Sequence, residues 1–399
     1  MHDCKKQQRE KIVKASDKIF WLNVVFLIAI TLNLRAPITS LGPIIESIKD
    51  AYNINSALGG LLTSLPLIAF GSVSFLVAYF SPMRAIVVGI VLIIIGEMYR
   101  SFGGSAGLFV GMALLGSGIA IANVLLPSFV KEKFPRKIPF MMGVYSLVLN
   151  LSGIFGIVFA LPLLAFLGLQ YSLLFWLPFA LLAFFVYIPQ MRNGRLFRTI
   201  KKQKSNINIF TQISAWKITL FMGAQSFVAY AMFAWLALIV SEMGYGSEFG
   251  ANILLLAQAI AVPIGFIGPV ILGKLKNAYR TVYMACLCGL YVVGFACLIW
   301  LDSKVGVVFG AICIGIPMGC VFAIALLFIS TKSANSLIAS KLSSMAQGFG
   351  YLIASTAPFI IGLLHDYFES FSQALYLLFI MGAIVSILGL IAYRAKMIE

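Results

Sequence analysis

The sequence predicts an all-α membrane protein: twelve transmembrane helices in two pseudo-symmetric six-helix bundles, with both termini in the cytoplasm. Three observations predict it. Of the 399 residues, 61% are hydrophobic and only 11% are charged, more apolar surface than a soluble domain can hide. The apolar residues gather into runs of membrane-crossing length, roughly 20 residues or more. The basic residues are one-sided. Of the 29 Lys and Arg, only Lys49, Arg100 and Lys304 fall on one side of the runs, Arg35 falls inside a run, and all others fall on the opposite side. This is the positive-inside pattern, and it places both ends in the cytoplasm.

In order, the spans read 19–45, 57–80, 85–100, 106–130, 139–165, 169–189, 215–241, 248–273, 280–300, 305–330, 340–364 and 371–393. The first follows a basic tail. It is too long for a removable signal peptide and has no small-residue cleavage site before Arg35, so it reads as a retained helix. A short basic turn at Arg84 joins the second and third spans, and the fourth ends at Lys131. The fifth is Gly-rich (LNLSGIFGIVFALP, 149–162), and the sixth has few strongly polar groups. The segment 190–214, QMRNGRLFRTIKKQKSNINIFTQIS, is the longest polar stretch and reads as a basic cytoplasmic linker. After it the pattern repeats weakly, with a basic turn from Lys274 to Arg280 and a Gly-rich eleventh span (QGFGYLIASTAPFIIG, 347–362). The expected organisation is an N-terminal bundle (1–189), a linker (190–214) and a C-terminal bundle (215–399). Two related halves are the repeat architecture of secondary transporters, with solute held near the midplane. A channel, a membrane enzyme of twelve helices and a membrane sensor are the rival readings.

The net charge of +16 is a topology signal with a secondary role at anionic lipid headgroups, and nucleic acid is not an expected partner. Six cysteines make no framework. Cys286 and Cys288, two apart, point to different helix faces, and no metal site is expected. Neither GxxxxGK[ST] nor HExxH occurs, and no nucleophile triad is recognisable. An ATP-driven pump, an enzyme and a resident cofactor are therefore not expected.

Arg35 stands out because a charge deep in a membrane span costs several kcal/mol unless it faces protein or water. On a continuous helix Thr31, Arg35 and Thr39 form one polar stripe. An Arg fork suits a carboxylate or another planar anion, and the alternative is an Arg that ties helices together. Asn123, Tyr145, Asn150, Gln225, Tyr230, Gln347 and Tyr351 sit on the other polar spans. Amides and phenols there turn inward, either as helix-to-helix glue or as a cavity lining. With Arg35 and Thr39 they form the expected substrate-binding set. Glu97, Arg100, Lys131, Trp235, His365 and Asp366 are the candidates for coupling or gating. Glu97 either pairs with Arg100 near the outer interface or relays protons. His365 and Asp366 read as residues at the external end of the eleventh span. Gly315 and Gly319 form GxxxG, a packing signal.

Several stretches resemble the cyanate and 2-nitroimidazole transporter branch of the major facilitator superfamily. They are NLRAPITSLGPII (33–45), LLTSLPLIAFG (61–71), GIAIANVLLPSFVKEKFP (118–135), QSFVAYAMFAWL (225–236) and LSSMAQGFGYLIASTAPFIIGLLHD (342–366), with Arg100 at the family's basic position after the third helix. The resemblance implies a two-bundle fold, alternating access, a bacterial inner-membrane location and a small polar or anionic solute. It makes Arg35 the leading anchor and a monomer the default. A drug or metabolite efflux carrier of the same fold is the alternative. The turn SPMR (81–84) departs from the superfamily's usual second-to-third loop, and the fifth span lacks a clear Gly-Pro antiporter signature, so direction stays open.

Overall fold

A computed structural model describes residues 19–54, 56–77, 80, 82–192, 207–301 and 303–399. The basic tail with His2 and Cys4, most of the linker and Ser81 of the SPMR turn lie outside the described residues. The chain is helical throughout: α1 (19–32), α2 (Ala36–Thr39), α3 (Ile45–Tyr52), α4 (Ser56–Val77), α5 (Pro82–Phe102), α6 (Gly104–Lys133), α7 (Ile138–Leu174), α8 (Leu177–Arg192), α9 (Ile213–Val240), α10 (Ser247–Lys274), α11 (Asn277–Trp300), α12 (Lys304–Thr331), α13 (Ser336–Phe368) and α14 (Ser372–Tyr393). Among the described residues, ten stretches are long and apolar enough to cross a membrane. One, Ile138–Ile188, is 51 residues long and contains two of the expected spans, 139–165 and 169–189. Gly168 divides them, with φ of 75°. That left-handed conformation carries little penalty for glycine, and it ends the helical ladder. The expected span 57–80 falls on α4 over the described residues of that stretch.

By packing, the chain divides into two compact units, each assembled from separate stretches. The first comprises Met1–Thr63, Met83–Ala122 and Ser152–Lys204; the second comprises Ser64–Pro82, Asn123–Leu151 and Ser205–Glu399. In the first unit, α5 and α6 meet along glycines. A Cβ on Gly96 would lie 2.5 Å from the Leu115 amide nitrogen, and one on Gly118 would lie 2.8 Å from the Ile93 amide nitrogen. Only hydrogen fits, so the two backbones touch.

In the second unit, α9 packs on α13, α10 and α14, α10 packs on α12, and α11 packs on α12 and α14. The GxxxG pair performs the packing role: Gly315 and Gly319 of α12 lie against the backbone of Ala257 and Ala261 in α10. Ser303 caps α12 by accepting from the Gly306 amide at 3.0 Å, and Asn335 caps α13 by accepting from the Ile338 amide at 2.9 Å. Large apolar side chains such as Trp21, Phe166, Leu255 and Phe359 remain exposed along the helices, the arrangement lipid requires and water opposes. Cys286 is exposed, whereas Cys288 is buried on the other face of α11.

Candidate functional site

In the first unit the leading candidate, Arg35, lies at a break. α1 ends at residue 32, residues 33–35 form a turn, and Arg35 precedes α2 with φ −128° and ψ −43°. Two features meet at the break: Pro37, which has no amide for the Asn33 carbonyl and whose ring crowds it in a continuous helix, and a hydroxyl from α7. Ser152 Oγ accepts from the Ala36 amide at 2.9 Å and donates to the Leu32 carbonyl at 2.6 Å. In an unbroken helix those two backbone groups would bond each other, i to i−4. A side chain inserted into the ladder is an established cause of a kink.

The expected Thr31–Arg35–Thr39 stripe is therefore interrupted. Thr31 is buried and turns its hydroxyl back to the Leu27 carbonyl at 2.5 Å. Thr39 Oγ1 reaches across to the Gly153 carbonyl at 2.9 Å. Arg35 is half-buried, and its side-chain carbons run over Gly153, where a Cβ would stand 3.5 Å from Arg35 Cδ. One turn on, a Cβ at Gly156 would overlap the Thr39 hydroxyl and come within 2.6 Å of the Ala36 carbonyl oxygen. Gly153 and Gly156 thus let the broken segment lie directly on α7.

Arg100, at the end of α5, is fully buried. Its Nη1 donates to the Pro37 carbonyl at 2.7 Å and its Nη2 to the Leu173 carbonyl at 2.8 Å. Both carbonyls belong to the last turns of helices, α2 and α7, where no intrahelical amide remains to meet them. Arg100 therefore caps two helix ends at once. Glu97, one turn earlier, is also fully buried and within electrostatic reach of Arg100. The hydrogen-bonded Glu97–Arg100 pair suggested by the sequence does not form: neither Glu97 carboxyl oxygen has a hydrogen-bond partner among the described residues.

The second unit gathers most of the amides and phenols. Tyr145 Oη donates to Asn123 Oδ1 at 2.5 Å, and Gln347 Nε2 donates to the Asn123 carbonyl at 3.0 Å and to Ser343 Oγ at 2.9 Å. Three helices, α6, α7 and α13, are joined by this chain of buried bonds. The Tyr351 ring lies 5.0 Å from Phe70 and 6.4 Å from Tyr230. Gln225 Nε2 donates to its neighbour Ser226 at 2.7 Å. Asn150 and Ser146 face α10 at Gly265, where a Cβ would lie 2.9 Å from Asn150 Nδ2 and 2.8 Å from Ser146 Oγ.

The coupling or gating candidates of this unit form two further ties. Lys131 Nζ donates to the Ser330 carbonyl at 2.7 Å, while Ser330 Oγ donates to the Pro127 carbonyl at 2.9 Å, joining α6 to α12. Trp235 Nε1 donates to the Pro358 carbonyl at 3.0 Å, joining α9 to α13. His365 is not a loop residue. It lies in the last turn of α13, its Nε2 3.0 Å from Glu242 Oε1, its ring centroid 4.3 Å from that of Phe371, and its Nδ1 3.5 Å from Asp366 Oδ1. The residues that sequence reasoning missed are Ser152, Ser343, Phe70 and Glu242. The partners of Ser152, Phe70 and Glu242 lie more than 100 residues away, so no local signal marks them, whereas Ser343 precedes Gln347 by one helical turn and that spacing could have found it.

The profile of the Major Facilitator Superfamily matches residues 24–355. The chain is 36% identical over 383 residues to the "Uncharacterized transporter YycB" of Bacillus subtilis, covering 91% of this chain and 92% of that one. It is 31% identical over 394 residues to the 2-nitroimidazole transporter of Escherichia coli, covering 97% and 98%. It is 27% identical over 350 residues to the cyanate transport protein CynX of Escherichia coli, covering 86% and 90%. Among solved structures, the proton:xylose symporter XylE bound to 6-bromo-6-deoxy-D-glucose shares the fold, with a TM-score of 0.74 at 11% identity over 93% of this chain and 95% of that one.

Proposed function

The chain belongs to the Major Facilitator Superfamily, and from that premise we propose that it moves a small polar or anionic organic solute, cyanate- or nitroimidazole-like, by alternating access. It is a multi-pass membrane transporter and not an enzyme. In the proposed arrangement twelve helices form bundles 1–189 and 215–399, both termini are cytoplasmic, and the protein works as a monomer in the bacterial inner membrane. In this proposal Arg35 anchors the solute's negative or acceptor end, and the other members of the proposed substrate-binding set are Thr39, Asn123, Tyr145, Asn150, Gln225, Tyr230, Gln347 and Tyr351.

The observation that carries this reading is the placement of Arg35. It stands at a break in an otherwise apolar span, over a glycine, beside backbone freed from helical pairing. Irregular backbone at membrane depth persists only where protein buries it or a cavity meets it, and broken spans mark binding sites in secondary transporters.

The test is counterflow in proteoliposomes holding the purified protein. A carrier saturates and exchanges labelled for unlabelled 2-nitroimidazole or cyanate. Linear, non-saturating flux without counterflow would identify a channel-like facilitator and defeat the proposal. We further propose Glu97 as the proton-coupling acid, because it is an ionisable group buried without a hydrogen-bond partner. Glu97→Gln should then flatten the pH dependence of transport, since an amide cannot exchange the proton. An unchanged pH profile removes Glu97 from coupling.

A further inference from the structure

Gln347 leaves one valence unmet. A backbone carbonyl only accepts, so the Gln347 atom 3.0 Å from the Asn123 carbonyl must be the donating NH2 group, which fixes the orientation of the side-chain amide. Its second hydrogen goes to Ser343 Oγ at 2.9 Å. What remains is Oε1, an acceptor on a fully buried residue with no partner among the described residues. Gln225 Oε1 is likewise buried without a partner among the described residues, with Nε2 2.7 Å from the Ser226 hydroxyl; a hydroxyl can donate as well as accept, so only the Gln347 amide is oriented by its partners. Tyr145 directs its O–H to Asn123. The two buried side-chain amide atoms of this group that lack a partner are both placed as acceptors, and the one fixed by its neighbours is Gln347 Oε1. Tyr351 follows Gln347 by four residues on α13, hence on the same face, with Phe70 and Tyr230 around its ring.

Resting on the transporter reading above, we infer that this group recognises the hydrogen-bond donor of a small planar aromatic or heteroaromatic solute, an azole N–H or a phenolic O–H. Gln347 Oε1 is the acceptor, and Tyr351 with Phe70 is the aromatic wall. A buried acceptor left without a donor is costly, so a solute that brings the donor gains over one that does not. Cyanate, a linear anion with no N–H, leaves the acceptor unmet and fits this group less well.

The experiment uses full-length protein in liposomes and three probes: 2-nitroimidazole, 1-methyl-2-nitroimidazole and cyanate. Methylation removes the ring N–H and with it the azole's ability to ionise, so the comparison is made at a pH low enough to keep 2-nitroimidazole neutral. In the native protein the N–H azole should bind about tenfold or more tightly than its N-methyl form, with cyanate weaker than the N–H azole. In Gln347→Ala the preference should fall towards unity, because both azoles then lack the acceptor. A purely steric objection to the methyl group would survive that substitution, so a preserved preference overturns the role of Gln347. Equal native affinities overturn the inference, yet transport of either azole leaves the carrier reading standing. Tighter binding of cyanate than of the N–H azole likewise overturns the donor-bearing class alone. Failure of all three probes to bind or move overturns both the inference and the proposed solute range. Should Gln347→Ala fail to reach the membrane, the native comparison of the two azoles decides.

Discussion

Arg35→Ala is expected to lower transport by about a hundredfold or more while leaving protein yield and membrane insertion near native. A charge-assisted, two-pronged hydrogen bond is among the strongest polar contacts, and truncating one partner of a desolvated pair costs about 2–5 kcal/mol. The break at 33–35 is held by Ser152 and Thr39 through backbone groups, which the substitution leaves in place. Arg35→Lys should fall between the two, because an ammonium keeps the charge and loses the planar fork. Counterflow in proteoliposomes, normalised to inserted protein, gives the ratio. Native rates in Arg35→Ala would remove it as the anchor.

Arg100→Met should have the other large effect, on stability, by about 3–5 kcal/mol. It strips the cap from the Pro37 and Leu173 carbonyls and leaves Glu97 buried with no compensating charge nearby. Removing one member of a buried charge pair costs far more than removing both. The double variant Glu97→Gln/Arg100→Met should therefore be more stable than Arg100→Met alone, a coupling that thermal unfolding in detergent measures directly. If the double variant is as unstable as the two single losses added together, the two charges are not coupled, and the carbonyl caps alone explain the role of Arg100.

Much of this was legible in the chain because lipid imposes simple rules. Apolar runs mark the helices, and Gly315 and Gly319 mark a close approach whose reason is local. The polar residues were legible as individuals: Asn123, Tyr145 and Gln347 each stood out as groups needing partners. Their connection was not, since the Gln347–Asn123 bond closes over more than 200 positions. Periodicity misled at Arg35. It assumes a continuous helix, although Pro37 is a local sign of a break; Ser152, which bonds the two parted backbone groups, comes from more than 100 residues away as an ordinary serine. At Glu97 the sequence offered a pairing with Arg100 near the outer interface or a proton relay, and neither carboxyl oxygen takes a hydrogen bond among the described residues. The open carbonyls at two helix ends compete for the same guanidinium, and only the tertiary fold brings them there.

The Ser152 hydroxyl lets the first span carry a proline with less of its backbone stranded in lipid. It stands between the Leu32 carbonyl and the Ala36 amide as a one-atom splice, and each backbone group bonds to it instead of to the other. Pro37 has no amide to offer the Asn33 carbonyl, and its ring would press on that carbonyl in a continuous helix. The splice keeps the groups on either side of the break bonded, so this gap in the ladder costs less in hydrocarbon than an unspliced one would.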